Sequence, residues 1–266
     1  MKNSRSLNTG KVGAYLINLD RATERLDFVR PFIEALGLLT ERISAIDGKT
    51  LSQKKIKSIT DLESYKKIFK MYPEAGTIGC SLSHEKAWRR FLESDNEFAV
   101  IFEDDVQFNP QELLETIELL IIRKTLWDIA NFETKHRGCP VKISKLNNHK
   151  HLVFYLTNVT HAGCYMVNRN AAHQLLKKFY PIKMPLDHYF TSAWEFNLKF
   201  VGIEPRMVLQ KFGNSQIKTS SSEKIKTVKI RIISAGYNIQ RAIFHFIYNL
   251  YCFIRVKANL YWKGDN

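Results

Sequence analysis

The chain has 266 residues, 45% of them hydrophobic, with 40 Lys and Arg against 26 Asp and Glu. That is enough for one large domain, or one domain with an appendage, around an ordinary core. The net charge of +14 implies an anionic partner, whether nucleic acid, an acidic membrane surface or a phosphorylated substrate. Cys80, Cys139, Cys164 and Cys252 are widely spaced with no CxxC pair, so neither a zinc site nor a disulfide framework is expected, and a reducing compartment is the default. Met1 to Lys11 is polar and lacks the apolar core of a signal peptide, so none is expected. No uncharged run reaches the ~20 apolar residues needed to span a bilayer.

Val12 to Asn18 reads as a first strand. Asp20 can cap the helix after it, whose Leu26, Val29, Ile33 and Leu36 share one face, with Pro31 as a kink or a shifted start and Gly37 as the stop. Arg42 to Ile46 looks like a second strand, turning at Asp47-Gly48. This opens a βαβ unit, but no GxGxxG is present, so a dinucleotide fingerprint is absent. Residues 50–75 are lysine-rich and weakly periodic, reading as short helices and a mobile loop. Gly76 to His84 then reads as a glycine and serine turn whose free N–H groups would suit phosphate, running into a helix through Phe91 and Leu92.

The apolar run Phe98 to Phe102 ends abruptly in Glu103, Asp104 and Asp105. Such a run reads as a buried strand of a mostly parallel sheet, and ligands of open α/β sheets bind beyond the carboxyl ends of strands. Three adjacent carboxylates repel, and a divalent cation with an anionic ligand is the simplest compensation. Alternation would put Glu103 and Asp105 on one side and Asp104 on the other. Asn109-Pro110-Gln111-Glu112 is a strong helix start. Trp127 to Phe132 reads as a strand, 134–150 as a polar, basic loop over the site or a small excursion, Leu152 to Leu156 and Ala162 to Val167 as short strands, and Asn170 to Phe179 as a helix. Pro185-Leu186-Asp187-His188 starts another helix running towards Lys199. The order is α/β throughout. From Glu223 the composition changes. Lys224, Lys226, Lys229 and Arg231 precede an apolar, aromatic stretch from Ile239 to Val256, broken by Arg241 and His245, and Arg255, Lys257 and Lys263 follow. This fits an interfacial helical anchor on an anionic membrane surface, the alternatives being a helix packed on the domain or an oligomer contact.

With these pieces placed, the chain resembles glycosyltransferase family 25, the lipooligosaccharide galactosyltransferase-like enzymes. The resemblance is carried by Tyr15 to Arg25, Ala45-Ile46-Asp47-Gly48, Gly79 to His84 (GCSLSH), Ile101 to Val106, Gly163 to Arg169 with Ala171, Pro185-Leu186-Asp187, and Phe212 to Ile217. It covers roughly residues 11–220 and is most specific where GCSLSH and EDDV stand some twenty residues apart. It implies a GT-A-like, Rossmann-type nucleotide-sugar-binding domain over residues 1–222; residues 223–266, outside the resemblance, are the basic helical tail read from composition. It also implies inverting transfer of a hexose, galactose before glucose, from a UDP-sugar to a lipooligosaccharide acceptor. Related animal enzymes act on collagen hydroxylysine. The missing secretory signal favours the bacterial version, cytoplasmic and peripheral on the inner face of the inner membrane.

The same resemblance distributes roles. Mn²⁺ or Mg²⁺ at Glu103-Asp104-Asp105 would bridge the UDP phosphates, with Asp105 as direct ligand and Glu103 or Asp104 contacting the ion through water or holding the ribose. Asn18, Arg21 and Arg25 would meet uracil, ribose or phosphate. Asp47 and Gly48 would line the nucleotide pocket, and Gly79, Ser83 and His84 would lie near donor or acceptor. Ser215 and Gln216 would close over the diphosphate. Asp187, at a helix start, is the favoured base, with Asp128 and Glu133 as weaker candidates. Two other readings compete: a basic nucleic-acid-binding protein, against which no recognised module appears, and a catalytically inactive glycosyltransferase-like scaffold.

Overall fold

A computed structural model describes residues 11–135, 138–212 and 228–263, and the side chains of all of these except 228–231 and 263. The first half runs β1 (Val12–Asn18), α1 (Thr23–Glu34), β2 (Thr40–Ser44), a 3-10 turn (Gly48–Thr50), α2 (Gln53–Ile59), α3 (Leu62–Phe69), α4 (Ala75–Glu93), β3 (Phe98–Glu103), β4 (Val106–Gln107) and α5 (Pro110–Ile122). The second runs β5 (Ile129–Asn131), β6 (Pro140–Lys145), β7 (His151–Tyr155), β8 (Cys164–Asn168), α6 (Arg169–Lys177), α7 (Leu186–Thr191), α8 (Ala193–Phe196), β9 (Phe200–Glu204), β10 (Leu209–Gln210) and α9 (Val228–Lys263).

Eight strands form one sheet in the order β2-β1-β3-β8-β5-β9-β7-β6. β2, β1 and β3 are mutually parallel, β8 runs against both β3 and β5, and β5 is parallel to β9. β3 and β5 therefore point the same way, and their carboxyl ends lie on one side of the sheet. Both sheet faces are covered. Tyr15, Ile17, Ala99 and Ile101 join the core layer of Trp88, Leu175 and Phe190 on one face. The alternate residues Leu16, Val100 and Phe102 join Val29, Leu113 and Trp127 on the other. This double burial is why β1 and β3 read as unbroken apolar runs. Each buried aromatic or aliphatic side chain contributes about 1.5–3 kcal/mol relative to an exposed one.

Several local expectations are revised. Asp20 does not cap α1. Its carboxylate accepts from Arg42 and Ser44, at 2.7 Å each, and α1 begins after Ala22 without a side-chain cap. α1 runs through Pro31 and stops at Glu34, with Gly37 at φ +65° turning the chain into β2. The stretch from Gly76 to His84 is not a turn before a helix but the first half of α4, which starts at Ala75. Residues 134–150 are not all loop, because Pro140–Lys145 adds the outer strand β6 against β7. The helix from Pro185 breaks after Thr191 and resumes as α8, and β9 follows unforeseen. Asn109 caps α5 as expected, its Oδ1 accepting the Glu112 amide at 3.2 Å.

α9 lies along the domain. Its own Ser234, His245, Asn249, Cys252 and Val256 are buried against the domain. Asn238 donates to the Ile68 carbonyl at 3.1 Å, Arg241 pairs with Glu195 at 2.8 Å, and the His245 ring nitrogens lie 2.6 and 2.9 Å from the carbonyl oxygens of Thr191 and Tyr155. Among the described residues no helix is long and apolar enough to cross a membrane.

Candidate functional site

β1 and β3 end side by side, Ile17 opposite Glu103, so the polar residues that follow each strand meet. Asp104 turns towards β1. It accepts 2.8 Å hydrogen bonds from Asn18 Nδ2 and Arg25 Nη1. Asn18 is fixed in turn, its Oδ1 accepting from Arg42 at 2.8 and 3.0 Å. Asp105 sits on the same side, 3.4 Å from Arg25 through Oδ2. The strict strand alternation expected for the acidic run thus stops at Glu103. Asp104 and Asp105 occupy a tight turn between β3 and β4 and share one guanidinium nitrogen, Arg25 Nη1.

Asp105 is the unsettled member. It is 6% exposed, and its Oδ1 has no hydrogen-bond partner. Burial, joined by the charges of Glu103 and Asp104, pushes its carboxyl up to about 7, although Arg25 pulls the other way. A buried carboxylate oxygen aimed at nothing costs free energy unless something fills the place.

Glu103 is supported by a hydrogen-bond chain. Trp88 Nε1 can only donate, and it donates to the Tyr165 hydroxyl at 3.0 Å. The hydroxyl proton therefore goes to His84 Nδ1 at 2.7 Å, leaving Nε2–H to donate to Glu103 Oε1 at 3.1 Å. Burial alone would raise the Glu103 carboxyl, but the His84 and Cys80 hydrogen bonds and the Arg25 charge outweigh it and hold the group below its usual value. Cys80, His84 and Glu103 bring their ligand-type atoms within 4.8 Å of one another. The Cys80 thiol is pushed well up by burial and by Glu103, so it stays protonated and donates to the carboxylate at 3.7 Å. With both ring nitrogens of His84 engaged, this trio holds Glu103 in place.

Gly48, Gly79 and Ser83 explain how α4 comes so close. A Cβ on Gly48 would stand 2.0 Å from the Ala75 carbonyl oxygen, and one on Gly79 2.6 Å from that of Ile46. Ser83 Oγ accepts the Ile46 amide at 2.8 Å and donates to the Gly79 carbonyl at 2.7 Å. Helix and turn cross backbone to backbone, and that crossing delivers His84 to Glu103. Asp47 caps the 3-10 turn through Lys49 and pairs with Arg21.

A second group of polar side chains closes the far side. Glu133, just past β5, is 1% exposed. It accepts the Gly163 amide at 2.6 Å and bonds His161 Nδ1 at 2.9 Å. Burial raises the Glu133 carboxyl against the pull of His161, and the Glu133 hydrogen bond raises the His161 imidazole. Asp187 lies at the start of α7 with Oδ1 on the His188 amide at 3.0 Å and Oδ2 on the His161 amide at 3.4 Å. Its charge is felt at His161 and Cys80, and that of Glu133 at Asp105, so the two groups lie within electrostatic range of one another. Asp128 does not join them. It precedes β5, at the opposite end of the sheet, where its carboxylate accepts from the Lys199 amide at 2.9 Å and from Asn168 at 3.0 Å.

After β9 the chain returns to this corner. β10 pairs with β4, the Lys211 amide donates to the Asp105 carbonyl at 2.8 Å, and the Phe212 ring lies 5.3 Å from the Arg25 guanidinium carbon. Ser215 and Gln216, expected to close over the site, fall outside the described residues. His161, Tyr165 and Arg42 were not anticipated from sequence. Tyr165 lies within an apolar strand and reads as core, and His161 is positioned by its left-handed backbone, φ +78°, which no spacing rule signals.

The chain is similar to several known proteins. The family model described as "Glycosyltransferase family 25 (LPS biosynthesis protein)" matches residues 12–190. A glycosyltransferase 25 family member of Anopheles gambiae is 35% identical over 126 residues, which is 46% of this chain and 21% of that protein. Procollagen galactosyltransferase 2 of Homo sapiens is 31% identical over 109 residues, 40% of this chain and 17% of that one, and procollagen galactosyltransferase 1-A of Xenopus laevis is 26% identical over 188, 68% and 31%. The matches therefore span about a third or less of each relative's length. Among solved structures, a glycosyltransferase involved in glycosylation of the major capsid of PBCV-1 aligns over 70% of this chain and 77% of that chain, at 12% identity and a TM-score of 0.36. With the family model matching well over half of its length, the chain belongs to glycosyltransferase family 25.

Proposed function

We propose that this protein is an inverting glycosyltransferase that moves a hexose from a UDP-sugar to a sugar of a membrane-borne lipooligosaccharide, with a divalent cation at the acidic corner. The observation that carries the reading is Asp105, a buried carboxylate with an unpartnered oxygen, beside Glu103 and Arg25 where β1 and β3 end. A carboxylate set of this kind suits a hard, oxygen-preferring ion such as Mn²⁺ or Mg²⁺. Asp105 with Glu103 would hold it, while Asp104, whose oxygens serve Asn18 and Arg25, organises the corner. When bound, the ion offsets the charge of the departing diphosphate.

The remaining roles belong to side chains. Arg25, and Arg21 once released from Asp47, suit the phosphate oxygens of the donor. Asp187 takes the proton of the acceptor hydroxyl. That oxygen forms the new bond to the anomeric carbon as the bond to UDP breaks and UDP leaves with the electron pair. Each Asp187 oxygen holds one backbone amide, which fixes the carboxylate and leaves it lone pairs for a substrate hydroxyl. Galactose is favoured because relatives carry the name procollagen galactosyltransferase, and glucose, differing at one hydroxyl, is the other candidate. The family's description as an LPS biosynthesis protein supports the acceptor.

The test is a panel of UDP-sugars read by thermal shift with and without Mn²⁺, followed by turnover. One UDP-hexose should stabilise the protein in a Mn²⁺-dependent way and be transferred or hydrolysed, with both lost in Asp105→Ala. A panel without any stabilising donor would refute the reading, and unchanged turnover in Asp105→Ala would remove the metal role.

A further inference from the structure

α9 has two opposite faces, and the fold uses one of them. Ser234, His245, Asn249, Cys252 and Val256 face the domain. At 100° per residue, the opposite side carries Ile232, Ile239, Ile243, Ile247, Ile254 and Tyr261, all six more than half exposed, with Gly236, half-buried Leu250 and Lys257 among them. They form a ridge of about 45 Å along the helix. Phe246, at its edge, borders an apolar groove of about 470 Å³ between the helix and Leu156. Scattered exposed apolar residues are normal, but an aligned ridge of this length is not.

Charge identifies the occupant. Between Val228 and Lys263 the helix carries Lys229, Arg231, Arg241, Arg255, Lys257 and Lys263 and has no Asp or Glu. Arg241 turns inward to Glu195, whereas Arg255 and Lys257 are exposed. Lys67, exposed on α3, stands on a helix that α9 contacts through Asn238 and Ile68. A helix with cations only is poorly complementary to a second copy of itself, because a symmetric pairing would set like charges together. An apolar ridge flanked by cations, with Tyr251, Tyr261 and Trp262 exposed along it, matches an anionic phospholipid surface.

We propose that α9 lies in the plane of an anionic membrane, its isoleucine ridge among the acyl chains, with the globular domain taking the place of the polar face such helices normally present to water. The orientation has a consequence for the site. α7 holds Asp187 near its start and, four residues on, offers the Thr191 carbonyl to His245 of α9. One short helix thus joins the domain side of α9 to the base, which suits an acceptor anchored in the surface that α9 meets on its other side. The docking surface itself stands independently of the donor chemistry.

Vesicle flotation of the full chain tests it. The probes are phosphatidylcholine vesicles with and without roughly a third phosphatidylglycerol. Binding should be about tenfold or more stronger to the anionic vesicles and should weaken in high salt. An Ile243→Gln, Ile247→Gln, Ile254→Gln variant should lose it while keeping the wild-type thermal midpoint and UDP-sugar response. Failure to float, or unchanged flotation in the triple variant, overturns the proposal. So does a lipid-free dimer that the same substitutions dissociate, which would make the ridge a contact between copies.

Discussion

Asp105→Asn should make the protein more stable and, at the same time, unresponsive to metal. The Asp105 carboxyl is pushed from 3.8 to about 7 by burial and by its acidic neighbours. Between those two pH values the folded state holds a proton that the unfolded chain has released. Stability without metal therefore falls as pH rises through this window, and by pH 8 the cost reaches an upper bound of about 4 kcal/mol. Asparagine keeps the shape without the charge, so the variant should gain about 2–4 kcal/mol at pH 8, roughly 5–10 °C in midpoint, and match the wild type near pH 4. The opposing term is the 3.4 Å contact with Arg25, but Arg25 keeps its 2.8 Å bond to Asp104 in the variant. Thermal denaturation from pH 4 to 8, with and without Mn²⁺, measures both effects. Mn²⁺ at a hundred times its dissociation constant should stabilise the wild type by about 2.7 kcal/mol and leave the variant unmoved. A variant less stable than wild type at pH 8 would show that attraction to Arg25 exceeds the burial penalty and would refute the argument. A preserved Mn²⁺ response would place the ion elsewhere.

Tyr165→Phe removes the link between Trp88 and Glu103, leaving one buried donor and one ring nitrogen unpartnered. Chemical denaturation should show a loss of about 2–4 kcal/mol, with weaker Mn²⁺ affinity as Glu103 loses its orientation. Gly48→Ala sets a methyl against the Ala75 carbonyl and should cost several kcal/mol or abolish soluble expression, whereas Gly37→Asn, in open space at φ +65°, should be nearly neutral. Asp187→Asn should lower kcat by about 10²- to 10⁴-fold with donor stabilisation intact, and a comparable loss in Glu133→Gln alone would transfer the base role to Glu133.

The parts of the fold legible in the sequence were those governed by local rules. β1, β3 and the Asn109 cap of α5 follow from apolar runs and capping chemistry, and each stands where those rules put it. What was missed depends on contacts distant in sequence. Gly76 to Ser83 looks like a phosphate-binding turn because small residues favour both a free amide nest and a close helix crossing, and only the position of the Asp47-Gly48 turn decides between them. Asp20 follows the first strand as a cap would, but Arg42 and Ser44 on the neighbouring strand claim it. In the same way Asp128 and Glu133 flank one short strand and look equivalent in sequence. The direction of β5 sends them to opposite ends of the sheet.

The three adjacent carboxylates show how the repulsion is handled. A uniform solution would give each a cation, but the fold treats them unequally. Glu103 receives hydrogen bonds from His84 and Cys80, which together with the Arg25 charge keep it ionised. Asp104 takes the shorter Arg25 contact and the shorter of the two hydrogen bonds that Asn18 Nδ2 donates, the other going to the Ala22 carbonyl. Asp105 is left with the longer contact and an empty oxygen, so the destabilisation concentrates in one side chain. Concentrating it has a chemical use. A carboxylate already ionised and hydrogen-bonded gains less from a metal ion, whereas one that is buried, raised to about 7 and has an oxygen without a partner gains the most. On this reasoning Asp104 and Glu103 set the geometry and Asp105 supplies the affinity. Mutations at His84 or Asn18 should then weaken Mn²⁺ binding less than Asp105→Asn does, although both touch the acidic triplet directly.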